Sequence, residues 1–324
     1  MKVFITGGGG FLGHRLARTL LERGTLTGPD GKAAPITQIK LLDTAFPPEV
    51  DSRLQCVQGD LSAPRVIATA LEPDTASVFH LAAVVSAGAE ADFELGMRVN
   101  LDGTRILLEA CRALASPPRL VFTSSVAAFG GNLPAILDDS TTTAPQTSYG
   151  TQKVIGEYLI ADYTRRGFLD GRCLRLPTIV VRPGKPNLAA SSFASAIFRE
   201  PLAGEAYDCP LPDTTGIWLL SPRKVTEAFV HAHELPASVW GINRVVNLPG
   251  ITVTIREAVD ELRRIAGRDV ADRIRFKVDA RIKAIVDTWP VRFRTPRADA
   301  MGFGADPDID SVIRDHIREH GISV

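Results

Sequence analysis

The chain has 324 residues, 45% of them hydrophobic, with 37 basic and 37 acidic side chains and a formal net charge of zero. Its Lys and Arg residues are scattered, so it lacks the basic footprint of a nucleic-acid binder. No apolar run reaches the ~18 residues of a membrane span, and the length suits one large or two coupled domains with a sizeable core.

Residues 2–5 form a short apolar run ending in Thr6. It has no polar alternation, which predicts a strand over 2–6 buried on both faces of a parallel sheet. Gly7, Gly10 and Gly13 follow at G-x-x-G-x-x-G spacing. Leu12, Leu16, Ala17, Leu20 and Leu21 then recur at helical spacing over 11–23. Strand, glycine turn and helix stand in the order a dinucleotide site requires. Gly7 permits the tight turn, Gly10 lets a pyrophosphate approach the backbone, and Gly13 lets the helix pack closely on the sheet. The helix N-terminus then offers unpaired N–H groups and a favourable dipole to the phosphates. A merely flexible glycine loop is the alternative reading.

The turn-rich stretch 24–35, GTLTGPDGKAAP, reads as an inserted loop or hairpin. A second strand over 37–43 ends in Asp43. A carboxylate there can accept hydrogen bonds from the adenosine ribose, which favours NAD over NADP. A solvated strand-end acid is the bland alternative. Further strands are predicted over 54–57, 76–80, 119–124 and 172–176, with helices over 64–71, 89–114 and 148–166. This alternation predicts an α/β fold, a Rossmann-type doubly wound parallel sheet with a smaller C-terminal substrate-binding part.

Tyr149 and Lys153 stand four residues apart in TSYGTQK, on the helix predicted over 148–166. Residues i and i+4 share a helix face, so the ammonium can lie beside the ring. A tyrosine works as a base near neutrality only if its pKa falls by roughly 3 units, about 4 kcal/mol of differential stabilisation of the phenolate. A cationic neighbour is one of the few ways to achieve that.

After Leu176 the character changes. The run 177–187, PTIVVRPGKPN, has three prolines and reads as irregular. A helix is expected to begin near Ala189, and helical patterns follow at 222–234 and 255–266, with short apolar stretches near 217–219 and 243–247. The expected organisation is an NAD-binding domain over 1–176, with 215–247 returning to it, and a substrate-binding part over 177–214 and 248–324. Cys56, Cys111, Cys173 and Cys209 are widely spaced without C-x-x-C and read as buried thiols in a reducing cytoplasm. The start MKVFIT enters the glycine motif at once, which is expected of a cytoplasmic protein. The six histidines show no metal-ligand spacing. His80 reads as a packing residue, as do Trp218 and Trp289.

TGGGGFLG, Asp43, GDL (59–61), HLAA (80–83), NLDGT (100–104), TSSVAAFG and YGTQK together resemble the extended short-chain dehydrogenase/reductase superfamily, over roughly the first 180 residues and in family order. The resemblance implies bound NAD(P) and a Ser–Tyr–Lys set, with NAD favoured by Asp43. Tyr149 would be the acid/base. Lys153 would hold the nicotinamide ribose and depress the tyrosine pKa. Ser125 matches the motif serine, with Thr123 and Ser124 as alternatives. Phe11 and Leu12 lie inside the glycine motif. Asp60 and Leu61 would border the adenine, Ala82 and Ala83 the ribose. Asn100 would fix the backbone near the cofactor, and Pro177 and Thr178 the nicotinamide end. A homodimer through the helices at 89–114 and 148–166 is also implied.

Superfamily members acting on nucleotide-diphosphate sugars usually carry R-D-F/Y-x-H-V-x-D before the helix that re-enters the main domain. Here Ile217 stands at the Arg position, and Ser221-Pro222 replaces His-Val. An arginine helps neutralise a diphosphate, so its absence argues against such a substrate, although an epimerase or dehydratase with tightly bound NAD remains the alternative. The runs 174–195, 218–223 and 247–250 instead resemble the D-erythronate dehydrogenase branch. That resemblance implies NAD-dependent oxidation of a small sugar acid, D-erythronate to 2-dehydro-D-erythronate. Its carboxylate calls for a donor cluster. Candidates are Arg182, Lys185, Asn187, Ser191, Ser192 and Arg223, with Ser86 reaching the hydroxyls.

Overall fold

The computed structural model describes residues 1–28, 30–48, 50–184 and 191–324. Asn187, Lys185 and the expected helix start near Ala189 lie outside the described residues. A seven-stranded sheet runs in the order Leu54–Gln58, Gln38–Asp43, Lys2–Thr6, Thr75–His80, Arg119–Ser125, Asp170–Leu176 and Val245–Asn247. The first strand pairs in parallel with the second and the fourth, Ile5 facing Leu41 on one side and Phe79 on the other. The strand order therefore reverses beside Lys2–Thr6, and in open α/β sheets ligands bind at such a switch point, beyond the carboxyl ends of the strands. Phe4, Leu42, Val78, Leu107, Leu120, Phe122 and Ile160 form one core against this sheet.

The stretch 24–35 folds as a hairpin in which Thr25–Thr27 pairs antiparallel with Ala33–Pro35. The continuous helix expected over 89–114 is interrupted. Helix Ser86–Ala91 stops at Asp92, whose extended backbone and side chain cap the next turn by accepting from Leu95 N at 2.9 Å. Residues Met97–Asp102 then wind as a π-helix before Gly103–Arg112 resumes the α-helix. The capping aspartate supplies the physical reason for the break, since its carboxylate offers the backbone an alternative to the helical ladder.

The chain divides into two compact units. The first comprises Met1–Ala128, Thr147–Arg175 and Thr226–Val246; the second comprises Phe129–Gln146, Leu176–Val225 and Asn247–Val324. This division differs in two places from an NAD-binding domain over 1–176 with 215–247 returning to it. Phe129–Gln146 belongs to the second unit, where Phe129 meets Phe293 edge-on at 5.8 Å and Leu137 bridges to Phe293. Residues 216–220 also stay there. Strand Gly216–Leu220 pairs antiparallel with Ile251–Thr254 and in parallel with Thr178–Ile179. Thr178 and Ile179 thus form a short strand inside a run that reads as irregular, because the prolines flank this pair rather than interrupt it. Trp218 is buried and stacks on Phe293 at 5.2 Å, and Trp289 stacks on Phe193 at 6.5 Å, so both pack in this unit. Helix Ile255–Ala266 opens on a capping box formed by Thr254 and Glu257.

Cys111, Cys173 and Cys209 are buried thiols, but Cys56 is exposed, because its strand is the outer edge of the sheet. Among the described residues no helix is long and apolar enough to cross a membrane, and no His/Cys/Asp/Glu group fits a metal ion.

Candidate active site

The glycine turn leaves the first strand at the switch point. Gly7 has φ 73° and donates to Leu42 O at 2.8 Å. A Cβ on Gly7 would stand 2.7 Å from Ala82 N, and one on Gly13 would stand 2.1 Å from Gly7 O. Both approaches leave room for hydrogen only. Gly10 is different. A Cβ there would meet only Gly7 O, at 3.2 Å, so its outer side is open to a ligand. Gly10 is also the N-cap of helix Phe11–Arg23 without a side-chain cap. The first N–H groups of that helix, from Phe11 onward, therefore have no intrahelical acceptor.

Asp43 ends the second strand and turns its carboxylate onto this loop. Its Oδ2 accepts from Gly9 N at 3.0 Å and Gly10 N at 3.2 Å, and Oδ1 accepts from Thr44 N at 2.7 Å. Asp60 accepts from the Ser62 N–H and hydroxyl at 2.8 and 2.7 Å. Burial pushes the Asp60 pKa up, but these bonds and the Arg98 charge outweigh it, so the carboxyl lies below its ordinary value. Leu61 is buried where a Cβ on Gly103 would touch it. These residues fit a dinucleotide: an open glycine cradle, helix-terminal donors and an anchored strand-end carboxylate.

A buried network holds the next loop. His80 Nδ1 bonds with Thr6 Oγ1 at 2.7 Å, and Nε2 with Thr104 Oγ1 at 2.9 Å. Burial and the Lys153 charge hold His80 neutral, its pKa pushed down to about 3. Asn100, inside the π-helix, accepts from Val84 N at 2.7 Å and donates to Val84 O and to Gln152 Oε1. That clamp fixes the segment carrying Ala82 and Ala83, both half-buried, and leads to Ser86 at the start of its helix.

The catalytic candidates lie on neighbouring elements of the same unit. Thr147 caps helix Ser148–Arg165 by accepting from Gly150 N at 3.1 Å, which sets Tyr149 in the first turn, half-buried. Lys153 follows on the buried face, its ammonium 4.7 Å from the Phe122 ring centroid and 5.5 Å from that of Tyr149. Burial pushes the Lys153 pKa down to about 7, with Glu157 opposing. Thr123 donates to His80 O and Ser124 to Glu157, so two of the three strand-end hydroxyls serve the interior. Ser125 is half-buried and accepts from Ala127 N at 3.1 Å.

In the second unit, Pro177 is buried and Thr178 pairs with Leu219. Arg182 donates from its backbone N to Ser195 Oγ at 3.0 Å and from its guanidinium to Ser191 Oγ at 2.7 Å. Ser192 is the first residue of helix Ser192–Leu202. Arg223 donates to Asp315 at 2.6 Å and stands 3.6 Å from Asp306. Asp306 is fully buried and accepts from Ser221 N and Oγ at 2.7 Å each. The two arginines thus engage different partners, hydroxyl for one and carboxylate for the other.

Sequence reasoning missed Glu157, Arg175, Gln152, Thr104 and Asp306. Glu157 carried a legible signal, since it stands four residues beyond Lys153 on the same face. The others depend on pairings between distant segments.

The fold and the glycine turn define a dinucleotide-binding enzyme of Rossmann type. The model of the NAD dependent epimerase/dehydratase family matches residues 3–239. D-erythronate dehydrogenase of Cupriavidus necator is 55% identical over the whole of both chains. The Haemophilus influenzae protein of the same name is 43% identical over 98% of this chain and 99% of its own. A solved structure, described as the nucleoside-diphosphate-sugar epimerase from Agrobacterium tumefaciens, is 40% identical with a TM-score of 0.92, covering 100% of this chain and 95% of that one. The chain belongs to the NAD dependent epimerase/dehydratase family. It is an oxidoreductase with NAD as cofactor.

Proposed function

We propose that the protein oxidises a small sugar acid, D-erythronate, at the carbon 2 hydroxyl to 2-dehydro-D-erythronate, with Tyr149 as general base. The observation that carries this reading is the Lys153 ammonium buried beside the Tyr149 ring. In low dielectric a cation at that separation favours the phenolate over the phenol. Tyr149 takes the hydroxyl proton, while Ser125 donates a hydrogen bond to the same oxygen as charge develops on it. NAD, when bound, supplies the hydride acceptor. Gly10, Phe11 and Leu12 would receive its phosphates on a turn that Gly7 and Gly13 shape, Asp43 would hold its adenosine ribose, and Asp60 and Leu61 would border the adenine end. Ala82, Ala83, Asn100, Lys153, Pro177 and Thr178 serve the remainder. Per turnover, D-erythronate and NAD⁺ give the 2-oxo acid, NADH and one proton.

The substrate follows the 55% identical relative over both full lengths. Arg182 and Arg223 are the candidate carboxylate donors, with Ser86 and Ser192 for hydroxyls. The alternative, a nucleotide-diphosphate-sugar epimerase with NAD regenerated in place, draws on the 40% identical solved relative. Ile217 weighs against it. Where an arginine would meet a diphosphate, an apolar side chain packs in the core of the second unit. Four- to six-carbon aldonic and uronic acids assayed with NAD and NADP decide the matter. NADH formation fastest with D-erythronate is expected, and no net NADH from any sugar acid sinks the reading.

A homodimer in the cytoplasm completes the proposal. Phe93 and Tyr158, 55% and 70% exposed on the two helices expected to pair, support that contact. Light scattering on the eluted protein should return twice the chain mass; a monomer overturns the dimer.

A further inference from the structure

Helix Ser148–Arg165 carries Tyr149, Lys153 and Glu157 one turn apart along a single face. Glu157 is almost wholly enclosed, its side chain 4% exposed. Its Oε1 accepts from the Ser124 hydroxyl and from Arg175 Nε at 2.8 Å, and its Oε2 accepts from Arg175 Nη2 at 2.7 Å. This two-pronged grip fixes the orientation of the carboxylate. We propose that Glu157 is the positioning residue that keeps the Lys153 ammonium charged, and through it sets the charge state of Tyr149. The inference rests on the reading of Tyr149 as base.

The surroundings of Lys153 leave the task to Glu157. Strand Arg119–Ser125 presents the Phe122 ring, which attracts a cation only through its quadrupole. Strand Thr75–His80 contributes His80, which is neutral. Strand Asp170–Leu176 contributes Cys173, whose thiol burial holds protonated, and Arg175, whose guanidinium is paired with Glu157. On the helix itself stand Tyr149 and Glu157. Among the described residues whose charges act on Lys153, Glu157 is the carboxylate that favours the ammonium. Burial alone would discharge the lysine near neutrality, and a neutral amine beside Tyr149 would leave the phenol protonated. Ser124 and Arg175 thus have a purpose beyond packing. They fix the carboxylate one turn from the lysine and prevent it from rotating away.

The test is the pH dependence of kcat/KM for D-erythronate in wild type, Glu157→Gln and Glu157→Asp, with NAD affinity and thermal midpoint measured alongside. Glutamine has the shape of glutamate and none of its charge. The acid limb of the Glu157→Gln profile should move upward by about one pH unit, which is about tenfold lower activity at neutral pH and a far smaller deficit at alkaline pH. Glu157→Asp, whose carboxylate is drawn back by one methylene, should lie between the two. A loss that is uniform across pH, or an unmoved limb, overturns the proposal, since a structural role alone produces that result. If Glu157→Gln yields no folded protein, a Glu157→Asp limb coincident with wild type overturns it. Tyr149→Phe, run in parallel, separates the two readings: turnover in that variant defeats the assignment of the base itself, whatever Glu157 does.

Discussion

The ammonium of Lys153 stands 5.5 Å from the centroid of the Tyr149 ring, and the lysine is only 3% exposed. Exposed, such a pair would be screened by water. With the lysine buried and the tyrosine half-buried, water screens the pair less than it would at the surface.

Removing the phenol hydroxyl should therefore abolish turnover without disturbing the cofactor. Tyr149→Phe is expected to lower kcat by roughly 10³-fold, within the usual range for a positioned acid or base. NAD affinity, read from protein fluorescence, should stay within about threefold of wild type, because the glycine turn and Asp43 are untouched. Wild-type-like turnover would refute the role.

The glycine turn makes a steric prediction. In Gly13→Ala the new Cβ would lie 2.1 Å from Gly7 O, which is backbone and cannot step aside. The helix must shift off the sheet, costing about 1–3 kcal/mol of stability and displacing its N-terminal donors. Denaturant midpoints and NAD titration together check this. A stable variant with normal NAD affinity would contradict the close packing.

The proposed role of Asp43 in cofactor choice rests on a carboxylate tied to Gly9 and Gly10. Asp43→Asn removes the charge and keeps the shape. The ratio of kcat/KM for NAD over NADP should fall by about tenfold or more, since a charge that would repel a 2′-phosphate is lost. An unchanged ratio would place the selectivity elsewhere.

Arg182 and Arg223 should separate in kinetics. Arg223 is engaged by Asp315 and lies close to the fully buried Asp306. Arg223→Ala leaves those carboxylates short of a partner and should lower stability by about 1–2 kcal/mol. Arg182→Ala is expected to raise KM for the acid more than for NAD, with the smaller effect on the thermal midpoint. If neither substitution changes KM for the acid, the carboxylate is bound by other groups.

Acid should weaken the fold through its buried histidines. Burial, then the neighbouring His320, pushes the His316 pKa down to about 4 from its ordinary value near 6.5. The unfolded chain thus binds a proton that the folded chain refuses between those values. Stability present above pH 6.5 is lost as pH falls toward 4, by about 2 kcal/mol at pH 5 for this group. His80 adds to the loss with the same sign. His316→Gln should show a smaller drop in thermal midpoint from pH 7 to pH 5 than wild type; an equal drop would remove His316 from the account.

Much of the first half was legible without coordinates, because its signals are local. An apolar run, three spaced glycines and a leucine stripe specify strand, turn and helix within 23 residues. Tyr149 and Lys153 declare their shared face by spacing alone, and Asp43 by its place at a strand end. The interrupted helix was not legible. Asp92 is an ordinary residue in a helical pattern, and its capping role emerges only once Leu95 N is in reach. Nor did sequence show that Phe129–Gln146 belongs with residues near 293, since nothing in a chain marks which aromatic will meet which.

The sequence by itself determined the reaction class: a dinucleotide turn, a strand-end acid and a tyrosine with its lysine, each encoded by spacing within one or two elements. Only the tertiary structure decided what surrounds them. Sheet register brings Ser124 and Arg175 onto Glu157, and packing of the C-terminal segment brings Asp306 and Asp315 to Arg223. These partners lie 18 to 92 residues apart, where helical or strand periodicity carries no information.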